Sequence, residues 1–174
     1  MVERRTTRAG FELDVRPVTR SDAALLRAFF EHVTPDDIRF RFLSMAPHVS
    51  PAQLHDLIHV DHKNTESYLA FDVGGRLVAT AMLAGSAGDR HAEVAIVVHT
   101  GYKAHGIGRA LLHYLAEVAT ERGLETIESI ESRENHAAIQ VERDSGFVGY
   151  ALPDSPTLVR LVKSLADRQN DARS

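Results

Sequence analysis

A glycine-rich turn at residues 103–108 is the segment of this sequence that most clearly indicates chemistry. It reads Lys-Ala-His-Gly-Ile-Gly and joins an apolar run to an amphipathic one. Gly106 and Gly108 carry no side chain, so a ligand can approach the backbone there. The first N–H groups of the following helix have no partner inside it and carry its partial positive charge, which favours a pyrophosphate. The same turn carries three basic side chains: Lys103, His105 and Arg109.

Two common nucleotide-binding motifs are absent from this turn. A P-loop requires Gly-x-x-x-x-Gly-Lys-Ser/Thr, and no such string occurs. The dinucleotide fingerprint Gly-x-Gly-x-x-Gly also fails, because Gly106-Ile107-Gly108 is followed by Arg-Ala-Leu. The remaining pattern is a basic residue, two spacers, glycine, one spacer and glycine.

The elements around the turn alternate between strand-like and helix-like periodicity. Strands are predicted at residues 12–18, 68–72, 76–83, 92–98, 124–130, 147–151 and 158–162. Helices are predicted at residues 21–33, 36–42, 50–60, 108–122 and 135–144, with Ser21 and Ser50 as N-caps. Gly74-Gly75 predicts a hairpin. This order predicts an α/β (α+β) fold, a mixed sheet with helices on both faces.

The turn resembles the acetyl-CoA motif of the GNAT acetyltransferase superfamily, Gln/Arg-x-x-Gly-x-Gly/Ala at the start of a helix. Lys103 stands at the Gln/Arg position, Ala104 replaces a frequent glycine, and His105 occupies a position that is often arginine. The resemblance implies that acetyl-CoA is the acyl donor and that residues 103–109, including Ile107, hold it. It also implies a mainly antiparallel sheet of six to seven strands.

A second block agrees with this resemblance. Residues 135–147, Asn-His-Ala-Ala-Ile-Gln-Val-Glu-Arg-Asp-Ser-Gly-Phe, are similar to the family's asparagine-containing helix that ends in Gly-Phe. By that likeness Asn135 contacts the cofactor. The backbone of three strand residues is expected to pair with the pantetheine arm: Ile96, Val97 and Val98.

Glu93 is the candidate general base. Acetyl transfer needs an uncharged amine, and a lysine with a pKa of about 10.4 is mostly protonated at neutral pH, so a base beside it helps. Glu93 is the only charged residue in the run 92–98, and burial there should raise its pKa. Strand alternation places it on the same face as Ala95 and Val97. The alternative is an exposed or ion-paired residue at the start of the strand.

A closer likeness concerns the acceptor. Residues 92–98 and 34–42 are similar to segments of bacterial protein-lysine acetyltransferases, in which a glutamate at the position of Glu93 is the base. This implies an acetyltransferase that acts on a protein lysine. Transfer to a small amine, or a non-catalytic acyl-CoA sensor, remain alternatives.

No general acid is assigned from the sequence. Many GNAT enzymes carry a tyrosine seven residues after the helix asparagine, and here that position is Glu142. Tyr102 and Tyr150 are alternatives. Because a thiol has a pKa of about 8.5, its thiolate can also leave unaided or take a proton from water.

Composition limits the classes of partner. The 174 residues carry a net charge of −4 and no cysteine, which gives no support to nucleic-acid binding and excludes thiolate chemistry. No apolar run of about 18 residues occurs, so no membrane span is expected. A run of arginines at residues 16–41 is interpreted as a solvated face. We expect a cytoplasmic monomer or homodimer.

Domain boundaries and metal sites complete the predictions. We expect one domain at residues 11–166, a disordered leader at 1–10 and a disordered tail at 167–174. His55 and His59 have helical spacing suitable for a metal, but no third ligand is apparent, and we expect no metal site. Residues 34–60 are expected to line the acceptor groove. The acidic side chains of this region either favour a cationic substrate or simply lie on solvated helix faces: Asp36, Asp37, Asp56 and Asp61.

Overall fold

Eight strands form one open sheet in the computed structural model, which describes residues 1–166. The strands are β1 (Glu3–Thr6), β2 (Glu12–Pro17), β3 (Thr65–Phe71), β4 (Leu77–Ala84), β5 (His91–Val98), β6 (Thr126–Ser132), β7 (Val148–Ala151) and β8 (Leu158–Ser164). The helices are α1 (Ala23–Phe30), α2 (Pro35–Phe42), α3 (Pro51–Ile58), α4 (Ile107–Glu121) and α5 (His136–Asp144). The spatial order of the strands is β1-β2-β3-β4-β5-β6-β8-β7, and only β5 and β6 run parallel. The predicted mixed, mainly antiparallel sheet is confirmed.

The strand count of six to seven is wrong, because an additional strand lies in the predicted leader. β1 pairs with β2, and Arg4 bonds to Asp14 at 3.0 Å. Arg5 reaches Glu117 on α4 at 2.6 Å. Backbone pairing and ion pairs hold this edge strand. None of its residues is buried, so the hydrophobic pattern of the sequence gives no signal for a strand there. The predicted tail at 167–174 lies outside the described residues.

Helix boundaries follow local capping groups. The Ser50 hydroxyl accepts from the Gln53 N–H at 3.1 Å, and the Gln53 side chain accepts from the Ser50 N–H at 2.9 Å, so the predicted cap of α3 is confirmed. The Thr34 hydroxyl accepts from the Asp37 N–H at 3.1 Å and so caps α2. The predicted cap at Ser21 is wrong, because a short 3₁₀ turn at Arg20–Asp22 precedes α1. Within residues 1–166, no helix combines the length and the apolar character that a membrane crossing requires.

Two hydrophobic cores cover the two faces of the sheet. On one face α4 and α5 pack through Leu111, Leu115 and Ile139. On the other face α1, α2 and α3 pack through residues that include Phe29 and Leu57. β5 therefore lies between two layers of helices, which accounts for its nearly continuous apolar sequence. The predicted placement of helices on both faces is confirmed.

The sheet opens between β5 and β6. These strands pair only from His91 to Glu93, opposite Thr126 to Glu128. Beyond Glu93, β5 remains paired with β4 as far as Val98, and β6 remains paired with β8 as far as Ser132. The two strands thus separate, and the edge of β5 at residues 94–98 faces a gap in the sheet.

Replacing Asp22 by Asn is expected to destabilise the fold by about 2 kcal/mol at pH 7. The Arg16 guanidinium bonds Asp22 through two nitrogens at 2.8 Å, and this contact holds the pKa of Asp22 at about 2 despite its burial. Because this pKa lies below that of the unfolded chain, the stabilisation is present at neutral pH and is lost as pH falls towards 2.

Urea unfolding of the wild type and of Asp22→Asn across this pH range measures the effect. The two curves should converge at acid pH. A difference in the free energy of unfolding that is constant with pH would contradict the ion-pair explanation.

Candidate active site

A cleft of about 420 Å³ occupies the gap between β5 and β6. Its walls are the open edge of β5, the end of β6, the turn before α4, and parts of α2 and α5. It lies at the point where a parallel strand pair separates, next to a helix N-terminus. Such a place offers unpaired backbone groups and the positive end of a helix dipole to one ligand.

The glycine turn forms one end of this cleft. Gly106 is the N-cap of α4 with φ of 76°, a left-handed conformation that glycine adopts without strain. The first backbone bond of the helix runs from the Ala110 N–H to the Gly106 carbonyl at 3.1 Å. The N–H groups that precede Ala110 in α4 therefore point out of the helix end. Apart from its chain neighbours and the nearby helix backbone, a Cβ at Gly108 would meet no described atom within 4 Å, so the approach to these groups is open.

The basic residues of the turn have different surroundings. Lys103 lines the cleft and forms an ion pair with Asp37 of α2, which links the turn to the opposite wall. Arg109 also lines the cleft. His105 lies outside this lining, and its ring packs 5.0 Å from the ring of Phe11. The structure therefore brings Lys103 and Arg109 to the predicted site, but not His105.

Replacing Ala104 by Gly is expected to stabilise the fold by about 1 kcal/mol. Ala104 has φ of 70°, and this left-handed conformation costs an alanine roughly 1 kcal/mol that glycine does not incur. Urea unfolding measures the difference. The matched control is Ala110→Gly inside α4, which should lose about 1 kcal/mol. Equal losses in the two variants would contradict the assignment of strain to Ala104.

The cleft-facing edge of β5 carries the predicted backbone sites. Ile96, Val97 and Val98 line the cleft, and among the described residues these three pair only with β4. Their N–H and C=O groups on the other side are therefore available to an extended ligand that carries amides. The structure thus places this edge and the glycine turn in one cleft.

Glu93 lies in the cleft at the last residue pair between β5 and β6. Burial by the cleft walls raises the pKa of its carboxyl group, Arg41 opposes this rise, and Glu128 adds to it. The residue as a whole is exposed through the mouth of the cleft, which leaves a path for an acceptor. A carboxylate with a raised pKa and access to solvent has the properties of a general base.

Arg41 was interpreted from the sequence as part of a solvated face, and this is wrong. It lies in the cleft wall, donates to Met82 Sδ at 3.5 Å, and stands 4.9 Å above the Phe42 ring. Burial lowers its pKa, while Glu93 and Glu131 oppose that change. The guanidinium thus places a positive charge between two carboxyl groups that come from different strands.

A cluster of polar side chains forms the wall beyond β6. Asn135 donates to Glu131 at 3.0 Å, and the Ser129 hydroxyl donates to Glu142 at 2.6 Å. Asn135, Glu131 and Glu142 all line the cleft. The structure therefore brings Asn135 to the site, as predicted, together with two glutamates to which the sequence assigned no role.

The remaining acidic residues of the predicted acceptor groove are scattered. Of the four, Asp37 lines the cleft. Asp36 pairs with Arg39, and Asp61 accepts the backbone N–H groups of the loop that follows it. Asp36, Asp56 and Asp61 are exposed, which fits the alternative of a solvated surface, and Asp56 lies 3.6 Å from His55.

Comparison with known proteins assigns the family. The model of the acetyltransferase (GNAT) family matches residues 27–147, which include Glu93, the glycine turn and all of α5. The chain belongs to the GNAT family. It is therefore an acyltransferase that uses acetyl-CoA.

Relatives of this GNAT protein cover most of its length. An acetyltransferase of Pseudomonas aeruginosa is 28% identical over 148 residues, which are 83% of this chain and 80% of the relative. The crystal structure of the GNAT domain of PAT from S. lividans superposes with a TM-score of 0.84 at 28% identity, covering 94% of this chain and 96% of that one. Spermidine N-acetyltransferase from Vibrio cholerae, solved with CoA and spermine, has a TM-score of 0.73 at 18% identity and covers 91% of this chain and 98% of that one. This last likeness shows the fold alone.

Three residues that line the GNAT site were given no role in it from the sequence: Arg41, Glu131 and Glu142. Arg41 carried a weak signal, since it lies in the alternating segment Arg39-Phe-Arg-Phe42, which can direct one arginine inwards. Glu131 carried a charge in an otherwise partly apolar strand, but the predicted strand ended at residue 130. Glu142 was recognised only as a departure from the family's tyrosine.

Proposed function

We propose that this enzyme transfers the acetyl group of acetyl-CoA to a protein lysine by direct attack, with Glu93 as general base. The observation that carries the proposal is the position of Glu93. It lies where β5 and β6 separate, inside the cleft, with a pKa raised by burial and a route to solvent. Direct attack requires a base within reach of an amine that enters from this opening.

The cleft fits the acyl donor in two respects. The outward N–H groups at the start of α4, with Lys103 and Arg109 beside them, are suited to the pyrophosphate. The free edge of β5 at Ile96 to Val98 is suited to the amides of the pantetheine arm, and Asn135 lies on the opposite wall. We assign cofactor contacts to these residues and to the backbone of residues 104–108. His105 is assigned an outer position, since it packs on Phe11.

The acceptor proposal has separate support. The GNAT domain of PAT covers nearly the whole chain at 28% identity, a closer likeness than that to the spermidine enzyme at 18%. The mouth of the cleft is also flanked by α2, which supplies Asp37 and Arg41 rather than a continuous acidic groove.

An acceptor panel tests the proposal. Purified enzyme and acetyl-CoA are mixed with lysine peptides, unmodified proteins, spermidine, spermine and amino sugars, and thiol release is followed with intact-mass detection of the product. We expect thiol release coupled to a single acetyl mass increment on lysine-containing proteins or peptides. Acetylation of a small amine in preference to every protein and peptide would overturn the lysine assignment. Peptides with acetylated lysines are the matched controls.

A further inference from the structure

Two carboxyl groups without a role in amine activation face each other on the wall of the cleft. Glu131 lies on β6 beyond the point where β5 separates from it, and Glu142 lies on α5. Both line the cleft. Glu131 extends from the same face of β6 as Ser129, whose hydroxyl bonds Glu142, so the two carboxyl groups are neighbours. Two neighbouring carboxylates repel each other, which favours a state in which the pair holds one proton.

Neighbouring donors fix the geometry of this pair. The Ser129 hydroxyl donates to Glu142 Oε2 at 2.6 Å, and the Asn135 amide donates to Glu131 Oε2 at 3.0 Å. Glu142 is only 7% exposed, whereas Glu131 is partly accessible from the cleft. Each carboxyl group therefore has one oxygen that accepts from a neighbour, and Glu131 is the more accessible member.

The charges around the pair favour retention of its proton. Burial raises the pKa of Glu131, and the carboxyl of Glu142 raises it further, whereas Asn135 and Arg41 of α2 oppose this rise. Burial also raises the pKa of Glu142, against the bonds from Ser129 and Glu131. Burial and the like charge outweigh the opposing groups, so the pKa values of the pair are raised and retention of one proton is favoured.

Acyl transfer has a use for such a proton. When a thioester is cleaved the sulfur leaves with the bonding electron pair, and a thiol has an ordinary pKa of about 8.5. A donor that holds its proton near neutral pH is well matched to this group. The pair lies in the cleft that contains Glu93, on the wall opposite the free edge of β5.

We propose that the Glu131–Glu142 pair is the general acid that protonates the CoA sulfur, with Glu131 as the catalytic residue that delivers the proton and Glu142 as the positioning residue that holds it. This inference rests on the proposed acyl transfer. In the step, a C–N bond forms as the C–S bond breaks, and the proton of the pair bonds to sulfur. Glu93 takes a proton from the amine and releases it to solvent, and solvent returns one proton to the pair.

Infrared spectroscopy tests the proton directly and requires no acceptor. The wild type at pH 7 should show the carbonyl stretch of a protonated carboxyl group, which the double variant Glu131→Gln/Glu142→Gln lacks. Adding CoA should shift this band, whereas desulfo-CoA, which lacks the sulfur, should not. Absence of the band, or the same shift with both ligands, would overturn the proposal. The matched control is Asp144→Asn on the exposed part of α5, which should keep the band.

Kinetics test the catalytic role. Glu131→Gln and Glu142→Gln should each lower the single-turnover rate of thiol release by about 10- to 100-fold, with an unchanged Kd for acetyl-CoA. The wild-type rate should fall in the alkaline range where the pair loses its proton, and the variants should lose this alkaline limb. If a variant loses the same factor in rate at every pH and keeps the decrease at alkaline pH, the residue has a structural role and the assignment is overturned.

The two proposals fail separately. If no acceptor is acetylated, the lysine assignment fails, while the infrared response to CoA and desulfo-CoA still decides the proton's position. If acetylation occurs but the rate shows no decrease at alkaline pH, or the infrared band of a protonated carboxyl group is absent, the pair is excluded as the general acid. The assignment of Glu93 as general base is unaffected by that result. Because two single variants are measured, a folding defect in one leaves the other to decide, and thermal unfolding identifies such a defect.

Discussion

Replacing Glu93 by Gln lowers kcat at pH 7 by about 10²- to 10⁴-fold, the usual contribution of a general base. Glutamine keeps the size of the side chain but cannot accept the proton that the amine loses when it attacks the thioester. The side chain lies in the cleft at the separation of β5 and β6, so the loss should appear in kcat while the Kd for acetyl-CoA remains within about twofold. Steady-state thiol release and calorimetric titration of CoA measure the two quantities.

The pH dependence of Glu93→Gln distinguishes a base from a packing residue. Burial raises the pKa of Glu93, so the wild-type rate should increase as pH rises through that raised value, because the carboxylate form is the active one. The variant should lose this acidic limb. Glu125→Gln is the matched control, since this exposed carboxylate pairs with Arg90 away from the cleft. Unchanged turnover of Glu93→Gln with a good acceptor would remove Glu93 as the base.

Replacing Gly108 by Leu is expected to weaken acetyl-CoA binding by about 100-fold or more, which corresponds to roughly 3 kcal/mol. The Leu side chain would enter the open space in front of the first N–H groups of α4 and exclude the pyrophosphate from them. Fold stability should not fall, because the added Cβ meets no described atom within 4 Å beyond its chain neighbours and the nearby helix backbone. Leucine also favours a helix more than glycine does.

A graded series gives this prediction its control. Gly108→Ala should have an intermediate effect on the Kd, and Glu121→Leu at the exposed far end of α4 should have none. Calorimetric titration gives the affinity, and urea unfolding gives the stability. Loss of stability in parallel with affinity would contradict the assignment, because it would show that Gly108 is required by the fold rather than by the ligand.

The sequence alone determined the local features of this protein. The cap at Ser50 and the helix predicted at residues 108–122 depend on residues that are near one another in sequence, and both are confirmed. The glycine turn is equally local, because a helix N-terminus presents its N–H groups wherever the helix packs. These features were sufficient to predict the fold class. Together with the family resemblance that the turn carries, they were also sufficient to predict acetyl-CoA as the donor.

Tertiary structure decided which side chains meet in the cleft. The strand-like pattern of β5 does not show that β6 leaves it after Glu93, since that separation depends on pairing between distant segments. Arg41 enters the cleft because α2 packs across β5, and the pairing of Glu131 with Glu142 depends on how α5 lies against β6. β1 was missed because ion pairs, rather than apolar burial, hold it to the sheet. The turn and its helix could therefore be predicted from neighbours in sequence, whereas the charges that line the cleft were assembled by long-range packing.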